Sequence, residues 1–154
     1  MKKTALNKNR LIFSDFFANE IKDNPLTIID AGGRGGIEMP WNKINEAILK
    51  VIGFEPDHEE CEKLNRKNTH QKYIPAILWS EKKEMDIYVT KEPSCSSVFE
   101  PNIELIKKYE NINWQSKVVN KKIKYPTTTI DTELSKMGLR ADFLKIDTHG
   151  AELE

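Results

Sequence analysis

Leu26 to Ala31 reads LTIIDA and runs directly into Gly32-Gly33-Arg34-Gly35-Gly36, and this junction constrains the fold more than any other stretch of the chain. Six residues rich in β-branched side chains are too few for a stable helix and suit a strand buried on both faces. The glycines that follow end the strand, supply positive φ where the turn needs it, and leave backbone free of Cβ atoms so that a ligand can approach. A strand covered on both faces belongs to a parallel sheet with helices on either side.

The downstream sequence repeats the alternation. Trp41, Ile44 and Ile48 share a face at helical spacing, VIGFEP (Val51 to Pro56) is a second buried strand, and Asp57 with Glu60 has the spacing of a capping box that opens a helix through about Asn65. YIPAILW (Tyr73 to Trp79) is a third strand, with Pro75 implying an edge position or a strand start. MDIYVT (Met85 to Thr90) alternates as a half-exposed strand does, and VVNKKIKY (Val118 to Tyr125) is suited to pair with it in an antiparallel excursion. Asn102 precedes a helix marked by Ile103, Leu105, Ile106 and Tyr109, and Asp131 to Met137 forms a short helix ended by Gly138. ADFLKID (Ala141 to Asp147) returns to the buried-strand pattern. The expected class is α/β, a mostly parallel sheet with flanking helices.

The chain has 154 residues, and its 24 basic and 24 acidic side chains give no formal net charge. That length suits one domain (26–154) preceded by a helical extension (1–25), in which Phe13, Phe16, Phe17 and Ile21 fall near helical spacing before Asn24-Pro25. A neutral chain lacks the positive charge that drives duplex binding, so no nucleic-acid partner is expected. No run approaches the ~18 apolar residues of a membrane span, and MKKTALNKNR lacks the apolar core of a signal peptide, so a cytoplasmic location is expected. There Cys61 and Cys95 are free thiols, and His58 with Cys61 has no second ligand pair to complete a zinc site, so no metal is expected.

Three strands end in an acid: Asp30 before the glycines, Glu55 before Pro56, and Asp147. In open α/β sheets ligands bind at these carboxyl ends. Glu55 follows Asp30 by 25 residues, near the ~20-residue interval at which a dinucleotide fold places its ribose-binding acid. The nicotinamide fingerprint G-x-G-x-x-G fails, because the pattern begun at Gly33 and Gly35 reaches Glu38, and the phosphate loop G-x-x-x-x-G-K-[ST] is absent. What remains is D-x-G-x-x-x-G at Asp30, Gly32 and Gly36, a loop suited to a ligand with an ammonium group and no pyrophosphate, as in S-adenosylmethionine.

IIDAGGRGGIE, VIGFEPDHEECEKL, YPTTTID and ADFLKIDTHGAELE, in that order, resemble the successive signatures of the FkbM-type S-adenosylmethionine-dependent methyltransferases, from about Thr27 to Glu154. The resemblance implies a class I, Rossmann-like fold in which the loop from Asp30 through Gly32, Gly33, Arg34 and Gly36 holds the methionine moiety. It implies that Glu55, with Pro56 beside it, holds the ribose, that Asp147 stands near methyl transfer, and that Glu152 follows at the start of a helix. Where the family often has a small residue and Asn in the first loop, this chain has Gly33 and Arg34. Place in the fold puts the adenine wall around Leu78 to Ser80, while Ser94, Ser96 and Ser97 resemble a serine-rich segment that faces the substrate.

His149 suits a general base on a hydroxyl, since an imidazole ordinarily titrates near neutrality, or else a backbone-bonded turn residue. Lys145 reads as snorkelling or paired with a carboxylate. The activity implied is O-methylation of a small molecule or glycan. The alternatives are a non-catalytic or truncated binding module and, more distantly, a nicotinamide-dependent oxidoreductase. Members of the resembled class carry further strands beyond the one ending at Asp147. The resemblance therefore implies the cofactor-binding portion of a domain, incomplete on its C-terminal side, with the strand from Phe143 an exposed edge open to self-association.

Overall fold

The computed structural model of the protein describes residues 15–67 and 69–153. Its centre is a parallel sheet in the order β3-β2-β1-β7, formed by β1 (Leu26–Ala31), β2 (Leu49–Phe54), β3 (Gln71–Ile74) and β7 (Phe143–Ile146). The LTIIDA run is the interior strand the sequence requires, with Ile28, Ile29, Asp30 and Ala31 all fully buried. Alternation sends Ile28 and Val51 to one face, where they meet Ile48, Cys61, Leu64 and Tyr73. Ile29, Ile52 and Phe54 face the other way, against Leu134. Helix α2 (His58–Lys67) supplies the first cover and α4 (Ile130–Met137) the second, so the chain is an α/β protein with a Rossmann-like, mostly parallel sheet.

A second sheet, β4-β6-β5, stands beside the first. Here β5 (Glu84–Thr90) and β6 (Val119–Thr128) pair antiparallel as their alternation suggests, and β4 (Ile77–Leu78) runs parallel to β6. The third sequence-predicted strand is therefore two elements. Pro75 has no N–H to continue a ladder, so β3 ends at Ile74 on the edge of the main sheet and β4 departs to the other sheet.

One further expectation is corrected. The Trp41 to Ile48 segment is not an α-helix but two 3-10 turns, Trp41–Lys43 and Glu46–Ile48. Asn45 between them is extended (φ −60°, ψ 127°), and its side chain accepts the N–H of Ala47, a local bond that competes with helix continuation. Ile44 and Ile48 are still buried, so their spacing reported burial rather than helix. On β7 the apolar pattern suggests burial, yet Phe143, Leu144 and Ile146 are 41, 49 and 38% exposed: the strand is the exposed edge expected of it, with β1 its one sheet partner among the described residues. At the other end, α1 (Asp15–Ile21) packs Phe17, Ala18 and Ile21 on the core while Phe16 stays exposed; Phe13 lies outside the described residues.

Tyr73 ties β2, β3 and α2 together. Its backbone N–H donates to Asn65 Oδ1 at 2.7 Å and its carbonyl accepts from Asn65 Nδ2 at 2.9 Å, so a helix side chain satisfies the outer edge of β3. Its ring lies over Gly53, where an added Cβ would fall 2.1 Å from a ring carbon. Gly53→Ala is expected to lose ~1–3 kcal/mol of unfolding free energy by overpacking. Most of that loss should disappear in the Gly53→Ala/Tyr73→Leu double variant, measured as a double-mutant cycle by chemical denaturation.

Candidate functional site

Strand register brings the predicted residues together. Ala31 pairs with both Phe54 and Ile146, and Phe54 pairs with Ile74, so the carboxyl ends of all four strands are level. Gly32, Glu55 and Asp147 consequently emerge side by side at one edge. Backbone bonds fix them there: Gly33 N donates to Phe54 O at 3.0 Å, Glu55 N to Ile74 O at 3.1 Å, and Asp147 N to Ala31 O at 3.0 Å. Gly32 has φ 77°, and a Cβ on it would fall 2.0 Å from the carbonyl oxygen of Asp147, so no other residue fits where the first loop passes β7.

Beneath this edge lies Asp30, fully buried, with the Lys145 ammonium 2.9 Å from its Oδ1. The contact is an ion pair without hydrogen-bond alignment, and the same ammonium donates to Gly32 O at 3.2 Å. Burial raises the Asp30 carboxyl above the ordinary range, and Lys145 opposes that rise. Tyr73, close to the same carboxylate, has its hydroxyl pushed up by burial and then by the Asp30 charge.

Glu55 is 4% exposed and accepts the Asp57 N–H at 2.8 Å through Oε1. The N–H that a full capping box would give to Glu60 is therefore taken, and Glu60 instead accepts from Gly35 N at 3.2 Å, tying α2 to the glycine loop. Asp57 Oδ1 still caps the helix by accepting from Glu59 N and Glu60 N. Arg34 reaches across to both acids, with Nη2 2.5 Å from Asp57 Oδ2 and 3.7 Å from Glu55 Oε1. Burial raises the Glu55 carboxyl despite the opposing Asp57 N–H and Arg34. At Asp57 burial also acts upward, but the Arg34 bond and the helix N–H groups outweigh it and hold the carboxyl below its ordinary value.

A cleft runs over this edge, and Gly32, Arg34, Gly36, Glu55, Pro56, Leu78, Asp147 and His149 all line it. Asp30 supports it from below, and Gly33 turns toward Tyr73 and Asp30 instead of the opening. Ser80 lies apart, in a neighbouring groove with Trp79, Thr129 and Ile146. The serine loop forms the far wall: Ser94, Ser96 and Ser97 line the cleft, and Ser97 Oγ donates to the His149 carbonyl at 2.9 Å. His149 is the one non-glycine residue with positive φ (54°) among the described residues, and its Nε2 stands 3.8 Å from Asp147 Oδ1.

The Glu152 carboxylate accepts from Thr148 N and Gly150 N and closes the loop after β7. Sequence reasoning missed Glu38, Ile77, Ile87 and Thr148 as lining residues, and for Lys145 it left open the carboxylate pairing now seen. Ile87 belongs to the second sheet, so only its tertiary placement brings it to the cleft. Among the described residues no group of three or more His, Cys, Asp or Glu side chains could hold a metal ion, and no helix is long and apolar enough to cross a membrane. Cys61 and Cys95 are both free.

A family model described as "Methyltransferase FkbM domain" matches residues 39–154, three-quarters of the chain. The matched span contains Glu55, the serine loop and Asp147, and it begins after the glycine loop. No curated protein and no solved structure matches significantly.

Glu55 and Asp57, the two carboxylates that Arg34 meets, have opposite linkage to pH. Asp57, held low, stabilises the fold above the ordinary carboxylate pKa, and that contribution is lost as pH falls through its depressed value. Glu55, held high, binds its proton more tightly folded than unfolded, so its ionisation weakens the fold as pH rises from the ordinary Glu value through the raised one. Glu55→Gln is therefore expected to raise Tm at about pH 7.5 and to change it little near pH 4. Calorimetric melts at the two pH values check this.

Proposed function

We propose, from the premise that this chain belongs to the FkbM methyltransferase family, that it binds S-adenosylmethionine across the carboxyl ends of β1, β2 and β7 and methylates an oxygen of a small molecule or glycan. The observation that carries the reading is the level strand edge, where cleft-lining backbone bare of Cβ at Gly32 stands beside the buried carboxylate of Glu55. The residues present fit that cofactor. Thr148, on the cleft wall, holds a buried hydroxyl oxygen without a hydrogen-bond partner, a carboxylate at the cleft edge suits vicinal ribose hydroxyls, and the sequence carries no phosphate-cradling motif.

In this reading Glu55 accepts the ribose hydroxyls, and the backbone from Asp30 to Gly36 holds the methionine moiety. Pro56, Ile77 and Leu78 form the apolar wall for adenine. The cofactor supplies an electrophilic methyl on sulfonium, so transfer is an in-line displacement governed chiefly by positioning. Transfer to a hydroxyl would release that hydroxyl's proton, and His149, on the wall of the cleft, would accept it. Asp147 steadies the resulting imidazolium, and the Ser97 bond to the His149 carbonyl holds the ring's backbone in place.

Titration calorimetry with S-adenosylmethionine tests the binding arm. Glu55→Ala is expected to weaken affinity at least ~10-fold, the lower end of the ~1.5–3 kcal/mol of a lost charge-assisted hydrogen bond. His149→Ala should leave affinity unchanged and slow methyl transfer to a hydroxyl acceptor by ~100-fold or more. Tight binding without transfer to any hydroxyl acceptor would favour a binding module that does not turn over, and an unaltered Glu55→Ala affinity would remove the ribose assignment.

A further inference from the structure

Arg34 carries the only side chain between Gly32 and Gly36, and it turns back onto the acids at the end of β2. Its guanidinium is shared unequally, close to Asp57 and looser on Glu55. Glu60, the remaining acid nearby, is engaged by Gly35 N and Lys63. A cation therefore sits against the very carboxylate that the proposed reading gives to the ribose. With Arg34 on its wall the cleft measures about 190 Å³, below the ~300–1,000 Å³ usual for ligand sites.

We infer that Arg34 is an internal competitor for the ribose subsite, and that Asp57 is the post that keeps it off Glu55 when a nucleoside is bound. The inference rests on the cofactor reading above and deepens it, because it makes Arg34 and Asp57 the residues that set cofactor affinity. The guanidinium charge, 3.7 Å from Glu55 Oε1, and the ribose hydroxyls are drawn to one carboxylate, so binding is favoured when Arg34 draws back from Glu55. Release is small, because the shorter contact to Asp57 can be kept while the longer one is given up. The post itself is rigid, since Asp57 Oδ1 is fixed by two N–H groups at the start of α2.

Calorimetry with S-adenosylhomocysteine on the full chain separates the possibilities. Arg34→Gln is expected to tighten binding on the order of fivefold, the worth of a partly screened ion pair. Arg34→Lys, which keeps a charge, should stay near wild type. Asp57→Asn keeps the helix-capping oxygen but loses the post, so Arg34 settles on Glu55 and affinity falls severalfold. The Arg34→Gln/Asp57→Asn double variant should bind like Arg34→Gln, and added salt should narrow the gap between wild type and Arg34→Gln. If wild type binds and Arg34→Gln binds equally or more weakly, the competitor role is overturned while the cofactor reading stands. An Asp57→Asn affinity unchanged from wild type overturns the post. If wild type binds neither S-adenosylmethionine nor S-adenosylhomocysteine, the cofactor reading falls, and the inference with it.

Discussion

Asp30 places an ionisable group with no exposure next to the carboxyl end of the interior strand β1, and the Lys145 ammonium 2.9 Å away is the charge that makes this burial tolerable. In general, removing one member of a buried pair is worth ~3–5 kcal/mol, because the survivor is left uncompensated. Here the pair does more than neutralise. Lys145 reaches from β7 to β1 and donates to the carbonyl of Gly32, so one ammonium joins two strands and the first glycine of the loop. The approach of Gly32 to the Asp147 carbonyl depends on that junction, and so does the level edge on which Glu55 and Asp147 stand together.

The second sheet completes the site rather than the core. Ile87 on β5 and the loop from Pro93 to Val98 form the wall opposite the strand ends, and the Ser97 bond to the His149 carbonyl ties that wall to the loop after β7. Residues far apart in sequence thus close one cleft, with the glycine loop and Glu55 on one side and Asp147, His149 and the serines on the other. Carboxylates and backbone bare of Cβ line it, with no phosphate-binding motif among them. That agrees with membership in a methyltransferase family.

Much of this was legible from residues alone, because it depends on short-range rules. A β-branched run ending in glycines suits an interior strand, Gly138 suits the end of α4, where it takes a left-handed φ of 62°, and the alternation around Met85 and Val118 matches the antiparallel pair. The failures have tertiary causes. Trp41, Ile44 and Ile48 are spaced like a helix face, yet Asn45 caps locally and breaks the segment into turns. Pro75 signals an edge, which β3 is, but no local rule says that Ile77 and Leu78 join another sheet. Ser80 follows Leu78 closely in sequence, yet the chain turns into β6 pairing and leaves it in a different groove. The direction of Arg34 was not legible either, since a glycine loop imposes no orientation on its one side chain.

The central claim is that a nucleoside cofactor lies on the level carboxyl ends of the parallel strands, held by Glu55. A crystal structure with S-adenosylhomocysteine bound tests it most directly. The account predicts both ribose hydroxyls within hydrogen-bond distance of the Glu55 carboxylate, the amino-acid end over the Asp30 to Gly36 loop, and Arg34 on Asp57 alone. A nucleoside bound elsewhere, or one in this cleft whose ribose makes no contact with Glu55, would contradict it.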